Sequence, residues 1–159
     1  MVPTSKLFHI VETERIFLHY ADLRNCYLGV YFWDPDLGKA CITLERKLKG
    51  QERLLRCVLA HELGHHFTSS GQHVVAASAT SVIRATKGER LATNWAVDKL
   101  VPADRFLQLV KDKRTFREVV DYFFVTPEFV INRAKRIYRN LPARELRRYI
   151  NNPTFRVIT

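Results

Sequence analysis

The segment 51–67 constrains the fold more than any other part of the chain. Its apolar residues recur at the three- and four-residue spacing of an α-helix that is buried along most of one side, and they are Leu54, Leu55, Val58, Leu59, Leu63 and Phe67. The same segment carries His61, Glu62 and His65. Polar side chains are costly to bury without partners. The sequence therefore predicts a helix built around a polar site.

The spacing of these three residues is that of the H-E-x-x-H motif. His61 and His65 are four positions apart, so both imidazoles lie on one face of a helix and can bind a single ion. Glu62 points about a hundred degrees away, where its carboxylate can accept a proton from the attacking water. Zinc suits such a site because it takes nitrogen and oxygen ligands and keeps one position open. The motif predicts zinc-dependent amide hydrolysis, although five residues can also match by chance.

Two neighbours of the motif are not expected to bind the ion. His66 follows the motif directly and points away from the shared face, which favours a packed or surface histidine. Cys57 lies one turn before His61, but among core residues a buried apolar thiol is the simpler interpretation. Together with Cys26 and Cys41 it makes three widely spaced cysteines, a pattern that predicts neither a disulfide framework nor a cysteine zinc site.

A third ligand has to come from another element, and Glu89 is the leading candidate. It lies at the start of a second predicted helix over 87–101, which Pro102 ends. Small residues follow it at helical spacing and allow this helix to approach the first one closely; they are Ala92, Thr93 and Ala96. Glu89 can also simply favour the dipole of its own helix, and Asp98 is the reserve ligand.

The remaining segments predict an α+β fold. A short helix over 5–13 precedes a strand over 15–20 and a β-hairpin over 27–44, whereas the uncharged stretch 68–83 favours a loop or an irregular strand. We expect the hairpin or a short sheet to pack on the helix of the motif, as in a small zincin-like metallopeptidase. The predicted domains are a metallopeptidase domain over 1–102 and a basic helical region over 103–159 that packs on it.

The region after Pro102 is helical and basic. Short amphipathic helices are predicted at 103–111, 116–124, 128–140 and 143–149. Of the formal charge of +10, this region holds 13 lysines and arginines against 6 acidic residues, whereas residues 1–102 hold 13 against 10. The second and third of these helices form a helix-turn-helix-like pair, and the later one carries Arg133, Lys135, Arg136 and Arg139. Substrate docking or a structural role is favoured over DNA binding, because this geometry is common in folds that never touch nucleic acid.

Length and hydrophobicity fit a folded chain in a reducing compartment. With 159 residues, of which 47% are hydrophobic, the chain can bury a core without disulfides. Neither a signal peptide nor an apolar stretch of membrane-spanning length is apparent, which predicts a cytoplasmic protein without a membrane partner.

Two segments read together resemble the ImmA/IrrE family of metallopeptidases. They are Leu59-Ala60-His61-Glu62-Leu63-Gly64-His65-His66 and Glu89-x-x-Ala92-x-x-Trp95-Ala96-x-x-x-Leu100-Val101-Pro102. With counterparts for the first strand, the hairpin and the segment 119–130, the resemblance covers most of residues 10–140. It implies zinc ligands at His61, His65 and Glu89, with Glu62 as the catalytic base. Many members have a second glutamate where this chain has Leu91.

The resemblance also implies a biological role. Family members commonly sit beside a helix-turn-helix repressor in phages, mobile elements or stress responses, and they derepress genes by cleaving it. The protein partner is then a transcriptional repressor, which could add a strand to the hairpin edge or to the stretch 68–83. The alternative is a non-enzymatic DNA-binding or anti-repressor protein with a vestigial metal site, and a hydrolase of small amides is a third possibility.

Overall fold

The computed structural model describes residues 2–24, 27–68, 75–78 and 87–140, of which 75–78 and 140 are described by their backbone alone. By its internal contacts the chain divides into two compact units, residues 2–96 and the residues from Val97 onward. The predicted domains, 1–102 and 103–159, stay a prediction. Within the described ranges, no helix has both the length and the apolar character needed to cross a membrane.

The first unit combines helices with a four-stranded sheet. Its elements are α1 (Thr4–Thr13), β1 (Phe17–Ala21), β2 (Tyr27–Asp34), β3 (Lys39–Glu45), a 3-10 turn at Arg46–Leu48, α2 (Glu52–Thr68), β4 (Val75–Ser78) and the start of α3 (Lys87–Leu100). The strand order is β1-β3-β2-β4. β3 pairs in parallel with β1 and antiparallel with β2, and β4 pairs antiparallel with β2. The α+β class and the hairpin, formed by β2 and β3, are confirmed.

The turn of the hairpin is closed by the residues that predicted it. Oδ1 of Asp34 accepts hydrogen bonds from the backbone N–H groups of Asp36 at 2.9 Å and Leu37 at 3.0 Å. Gly38 then adopts a φ of +58°, which a residue without a Cβ reaches at low cost. The chain thus reverses into β3 in register with β2.

α2 is the central helix of the first unit and packs against α1, β2 and β3. The core side of α2 is fully buried at Leu59, Ala60 and Leu63. Each such leucine contributes roughly 1.5–3 kcal/mol relative to an exposed one. Cys57 on the same helix and Cys41 on β3 are both buried as thiols, which confirms the interpretation of Cys57 as a buried thiol. Cys26 lies outside the described residues.

The second unit is helical in its described part. The end of α3 is followed by α4 (Ala103–Lys111), α5 (Phe116–Phe123) and α6 (Pro127–Asn140). A capping box opens α5, in which the backbone N–H of Thr115 donates to Glu118 at 2.8 Å and the N–H of Glu118 donates back to the threonine hydroxyl oxygen at 3.3 Å. Phe124 ends α5 in the left-handed region, with a φ of +53°. The predicted helix-turn-helix-like pair is therefore α5 and α6, and the helix predicted at 143–149 lies outside the described residues.

Arg133 of α6 is buried and binds the end of α3. Only 5% of its side chain is exposed. Its guanidinium donates to the carbonyl oxygens of Val101 at 2.6 Å and Val97 at 3.0 Å, and to the carboxylate of Asp98 at 2.6 Å. The carbonyl of Val97 also accepts from the backbone N–H of Val101 at 2.9 Å, so the arginine adds a second donor there and supplies a donor to the carbonyl of Val101, the residue after α3.

Arg136 also serves the fold. It binds both carboxylate oxygens of Asp98 at 2.9 Å in a bidentate pair. Of the four basic residues that the sequence assigned to this helix, Lys135 and Arg139 are exposed, whereas Arg133 and Arg136 hold α3.

Candidate metal centre

The three predicted ligands converge within the first unit. His61 and His65 lie one turn apart on α2, and Glu89 lies in the first turn of α3. Nε2 of His61 is 3.1 Å from Nε2 of His65 and 3.2 Å from Oε2 of Glu89, and Nε2 of His65 is 3.4 Å from Oε1 of Glu89. One donor atom from each residue lies within 4.8 Å of the other two. The structure therefore brings together the residues that the sequence singled out.

The spacing of these donor atoms is compatible with a metal site. Ligand atoms held ~2.0–2.1 Å from one zinc ion in tetrahedral geometry are ~3.3–3.4 Å from each other. The two Nε2 atoms are 3.1 Å apart, and they lie 3.2 and 3.4 Å from different oxygens of Glu89, distances that are close to that value. Two imidazoles and a carboxylate are also a common ligand set of hydrolytic zinc sites, in which a fourth position stays open. The cluster is compatible with a metal site.

Glu89 is held in its ionised form. Burial acts to raise its pKa, but the hydrogen bonds and charges of His61 and His65 outweigh burial and lower the pKa to about 2. An ionised carboxylate is the form that binds a cation. A role limited to the helix dipole would not account for both oxygens facing imidazoles. Asp98, the reserve ligand, is instead bound by the two arginines of α6.

The close approach of α3 to α2 depends on Gly64, which lies between the two histidines. A Cβ atom at this position would overlap the carbonyl oxygen of Ala92 and lie 2.8 Å from its Cα. Real Cβ atoms do not come this close to backbone, so a side chain at Gly64 would push the helices apart. The small residues of α3 match this contact, since Ala92 and Ala96 are fully buried.

Glu62 is fully buried beside the cluster, and neither carboxylate oxygen has a hydrogen-bond partner among the described residues. Burial and then the charge of Glu89 raise the pKa of Glu62 well above its usual value, and the nearby backbone N–H of Tyr31 acts in the other direction. β2 passes so close that a Cβ at Gly29 would lie 2.6 Å from Oε1 of Glu62. A buried carboxyl without partners is costly and uncommon, which marks this group as one retained for binding or chemistry.

His66 contacts Tyr31 and Glu14 and takes no part in the cluster, as expected. Its Nδ1 is 3.4 Å from the hydroxyl of Tyr31, and its Nε2 is 3.5 Å from Oε2 of Glu14. The ring of Tyr31 also lies nearly parallel to that of His65, at an interplanar angle of 13°. Neither Tyr31 nor Gly29 was predicted to lie beside the motif, although a glycine inside a strand pattern often marks a close approach.

Comparison with known proteins agrees with this geometry. A search of curated proteins found no match. A family model, described as the IrrE N-terminal-like domain of peptidase family M78, matches residues 11–135. This range contains His61, Glu62, His65 and Glu89 together with most of α6, and it covers well over half of the chain. The chain therefore belongs to the IrrE N-terminal-like family of M78 peptidases, a family of metallopeptidases.

Proposed function

We propose that this protein is a cytoplasmic, zinc-dependent endopeptidase that cleaves one specific protein, a helix-turn-helix transcriptional repressor, and thereby derepresses genes. The observation that carries the proposal is the convergence of His61, His65 and Glu89 next to a buried, unpartnered Glu62. Membership of the family supports metallopeptidase chemistry. The choice of a repressor as substrate rests on the resemblance to ImmA/IrrE proteins.

The residues of the site divide the chemistry between them. When bound, zinc supplies the Lewis acidity that polarises a peptide carbonyl and acidifies water. Glu62 takes a proton from the attacking water as a C–O bond forms at the scissile carbonyl, and it delivers that proton to the amine nitrogen as the C–N bond breaks.

The substrate is proposed to bind as an extended strand at β4. The sequence also predicted an edge of the hairpin as a binding position, and for the described sheet that prediction is wrong. Both hairpin strands lie inside the sheet, because β3 lies between β1 and β2, and β4 pairs with the other side of β2. β4 falls within the uncharged stretch 68–83 and is the edge strand on that side. Aspartates introduced at Val75 and Ala77 should slow repressor cleavage without lowering zinc content. Unchanged cleavage would rule out this mode of binding.

The decisive experiment pairs metal analysis with cleavage. The purified protein, loaded with zinc, is incubated with the repressor encoded beside its gene, and the products are identified by mass spectrometry. Cleavage at one site is expected. A Glu62→Gln variant should keep its zinc and cleave ~10²–10⁴-fold more slowly. An intact repressor after incubation with the zinc-loaded wild type would contradict the proposal.

The second candidate is a DNA-binding or anti-repressor protein with a vestigial metal site. The exposed Lys135 and Arg139 of α6 favour it, whereas the engagement of Arg133 and Arg136 inside the fold counts against it. This candidate predicts full biological activity of Glu62→Gln and salt-dependent binding to random duplex DNA. The peptidase predicts loss of activity in that variant and needs no DNA binding.

A further inference from the structure

The two ring nitrogens of His61 have different surroundings. Nε2 faces His65 at 3.1 Å and Glu89 at 3.2 Å. Nδ1, on the opposite side of the ring, lies 3.4 Å from the hydroxyl oxygen of Thr93 on α3, at the long end of the range for a hydrogen bond. Among the described residues, this hydroxyl is the hydrogen-bond partner of Nδ1.

We infer that Thr93 is a positioning residue for His61, acting through a hydrogen bond in which Nδ1–H donates to the threonine hydroxyl oxygen. An imidazole that binds a metal through Nε2 carries its proton on Nδ1. The acceptor of that proton selects the tautomer and fixes the ring orientation, and its loss typically weakens metal binding. The inference rests on the proposed metal site, because without a bound ion there is no ligand to position.

The placement of Thr93 on α3 gives this hydrogen bond a second role. Thr93 follows Glu89 by four residues, so both side chains lie on one face of the helix, one turn apart. The same turn is held against α2 by the contact of Ala92 with Gly64. α3 therefore supplies one ligand and also orients a ligand that belongs to α2. Any movement of α3 would change both together.

Two variants separate the hydroxyl from the methyl group of Thr93. Thr93→Val keeps the shape and removes the acceptor, whereas Thr93→Ser keeps the acceptor and removes the methyl. The matched control is Thr43→Val, because the hydroxyl of Thr43 makes a similar contact, 3.2 Å to Nε2 of His19, away from the cluster. The dissociation constant for zinc is measured by competition with a chromophoric chelator, and the absorption spectrum of the cobalt-substituted protein reports ligand geometry.

The expected result is a zinc dissociation constant ~10–100-fold higher for Thr93→Val. Thr93→Ser and Thr43→Val should bind zinc like the wild type, and Thr93→Val should have an altered cobalt spectrum. Thermal unfolding of the metal-free proteins should be the same for Thr93→Val and wild type.

Two results would overturn the inference while leaving the metal site intact. In one, Thr93→Val binds zinc as tightly as the wild type; in the other, Thr93→Ser is weakened equally, which would assign the effect to packing. Failure of the proposed function looks different, because the wild type itself would then bind no zinc, or would keep it after both His61→Ala and His65→Ala.

Discussion

The buried polar groups at the two ends of α3 differ in how fully their hydrogen bonds are satisfied. At its C-terminal end, the buried Arg133 donates to two carbonyl oxygens and a carboxylate. At its N-terminal end, Glu89 meets two imidazoles, and beside them both oxygens of Glu62 are buried without a hydrogen-bond partner among the described residues. Native folds leave few such groups unpaired, and they do so mainly where a function needs them. We therefore expect binding and chemistry at the N-terminal end of α3, where the buried oxygens of Glu62 lack hydrogen-bond partners in the described part of the chain.

The two ends also differ in how a neighbouring helix reaches α3. α2 approaches through Gly64, which has no side chain, and α6 reaches α3 through one of the longest side chains available. Four substitutions test this comparison, and they follow in order of decreasing effect on stability.

Gly64→Ala should have the largest effect. The added methyl meets the backbone of Ala92, which cannot change rotamer, so we expect a loss of about 3 kcal/mol or more together with weaker zinc binding. Chemical denaturation and chelator competition measure the two losses. Gly38→Ala is the control, because a Cβ there meets nothing within 4 Å and only the positive φ opposes it, at a cost of about 1 kcal/mol. Equal stability of the two variants would refute the role of the backbone contact.

Arg133→Met should destabilise the protein by about 2–4 kcal/mol, because it removes the donor from the carbonyl oxygen of Val101 and one hydrogen bond from the carboxylate of Asp98. The measurement is the urea midpoint at constant m-value. Arg136→Met, which removes a more exposed pair to the same aspartate, should cost less than about 1 kcal/mol. If both variants lost the same stability, burial of the Arg133 guanidinium would not make its hydrogen bonds more important to the fold than those of Arg136.

Glu62→Met should act in the opposite direction. It replaces a buried, unpartnered carboxyl by an apolar side chain of similar length, so the metal-free protein should gain about 1–3 kcal/mol while cleavage is lost. Urea unfolding in the presence of a chelator measures the gain. Destabilisation instead would mean that the carboxyl has a structural partner and that the contrast between the two ends of α3 does not hold.

Asp98→Asn should have the smallest effect on stability, and that effect should depend on pH. Burial acts to raise the pKa of Asp98, but hydrogen bonds from Arg136 and Arg133 lower it below its ordinary value of 3.8. Because the folded-state pKa is the lower one, the pair stabilises the fold above about pH 4 and this stabilisation disappears as the pH falls through the folded-state pKa. Wild type should exceed Asp98→Asn in stability at pH 7 by less than about 1 kcal/mol, since the carboxylate is half exposed. The free energies of unfolding of wild type and Asp98→Asn, measured from pH 7 to acid, should converge. A difference that persists in acid would exclude the ion pair as its cause.

Local patterns predicted much of the fold. α4 begins and ends where the amphipathic pattern placed it, and α3 stops before Pro102 because proline cannot continue the helical hydrogen bonds. The parallel pairing of β1 with β3 was not predicted, since it joins segments more than twenty residues apart and leaves no mark in either one. The burial of Arg133 was missed for the same reason, because a basic residue on a helix looks alike whether it faces water or a carbonyl group.

The residues of the site also differ in whether the sequence alone could predict them. His61, Glu62 and His65 could be found because their spacing on one helix is itself the signal. Glu89 needed the resemblance as well, since the sequence could not say how close two helices come. The hydroxyl of Thr93 was overlooked, because that residue was noticed only for its small size.

The meeting of Gly64 with Ala92 also bears on which cations the protein accepts. Two helices in backbone contact have a separation that no side-chain rearrangement can adjust, so the backbone positions that carry the donor atoms around the opening are set. Ions with bonds of ~2.0–2.1 Å to three protein ligands fit such an opening. Calcium takes six to eight oxygen ligands at roughly 2.3–2.6 Å, a set that two imidazoles and one carboxylate do not supply. Selection among cations by size would then be decided by main-chain packing as much as by the identity of the ligands.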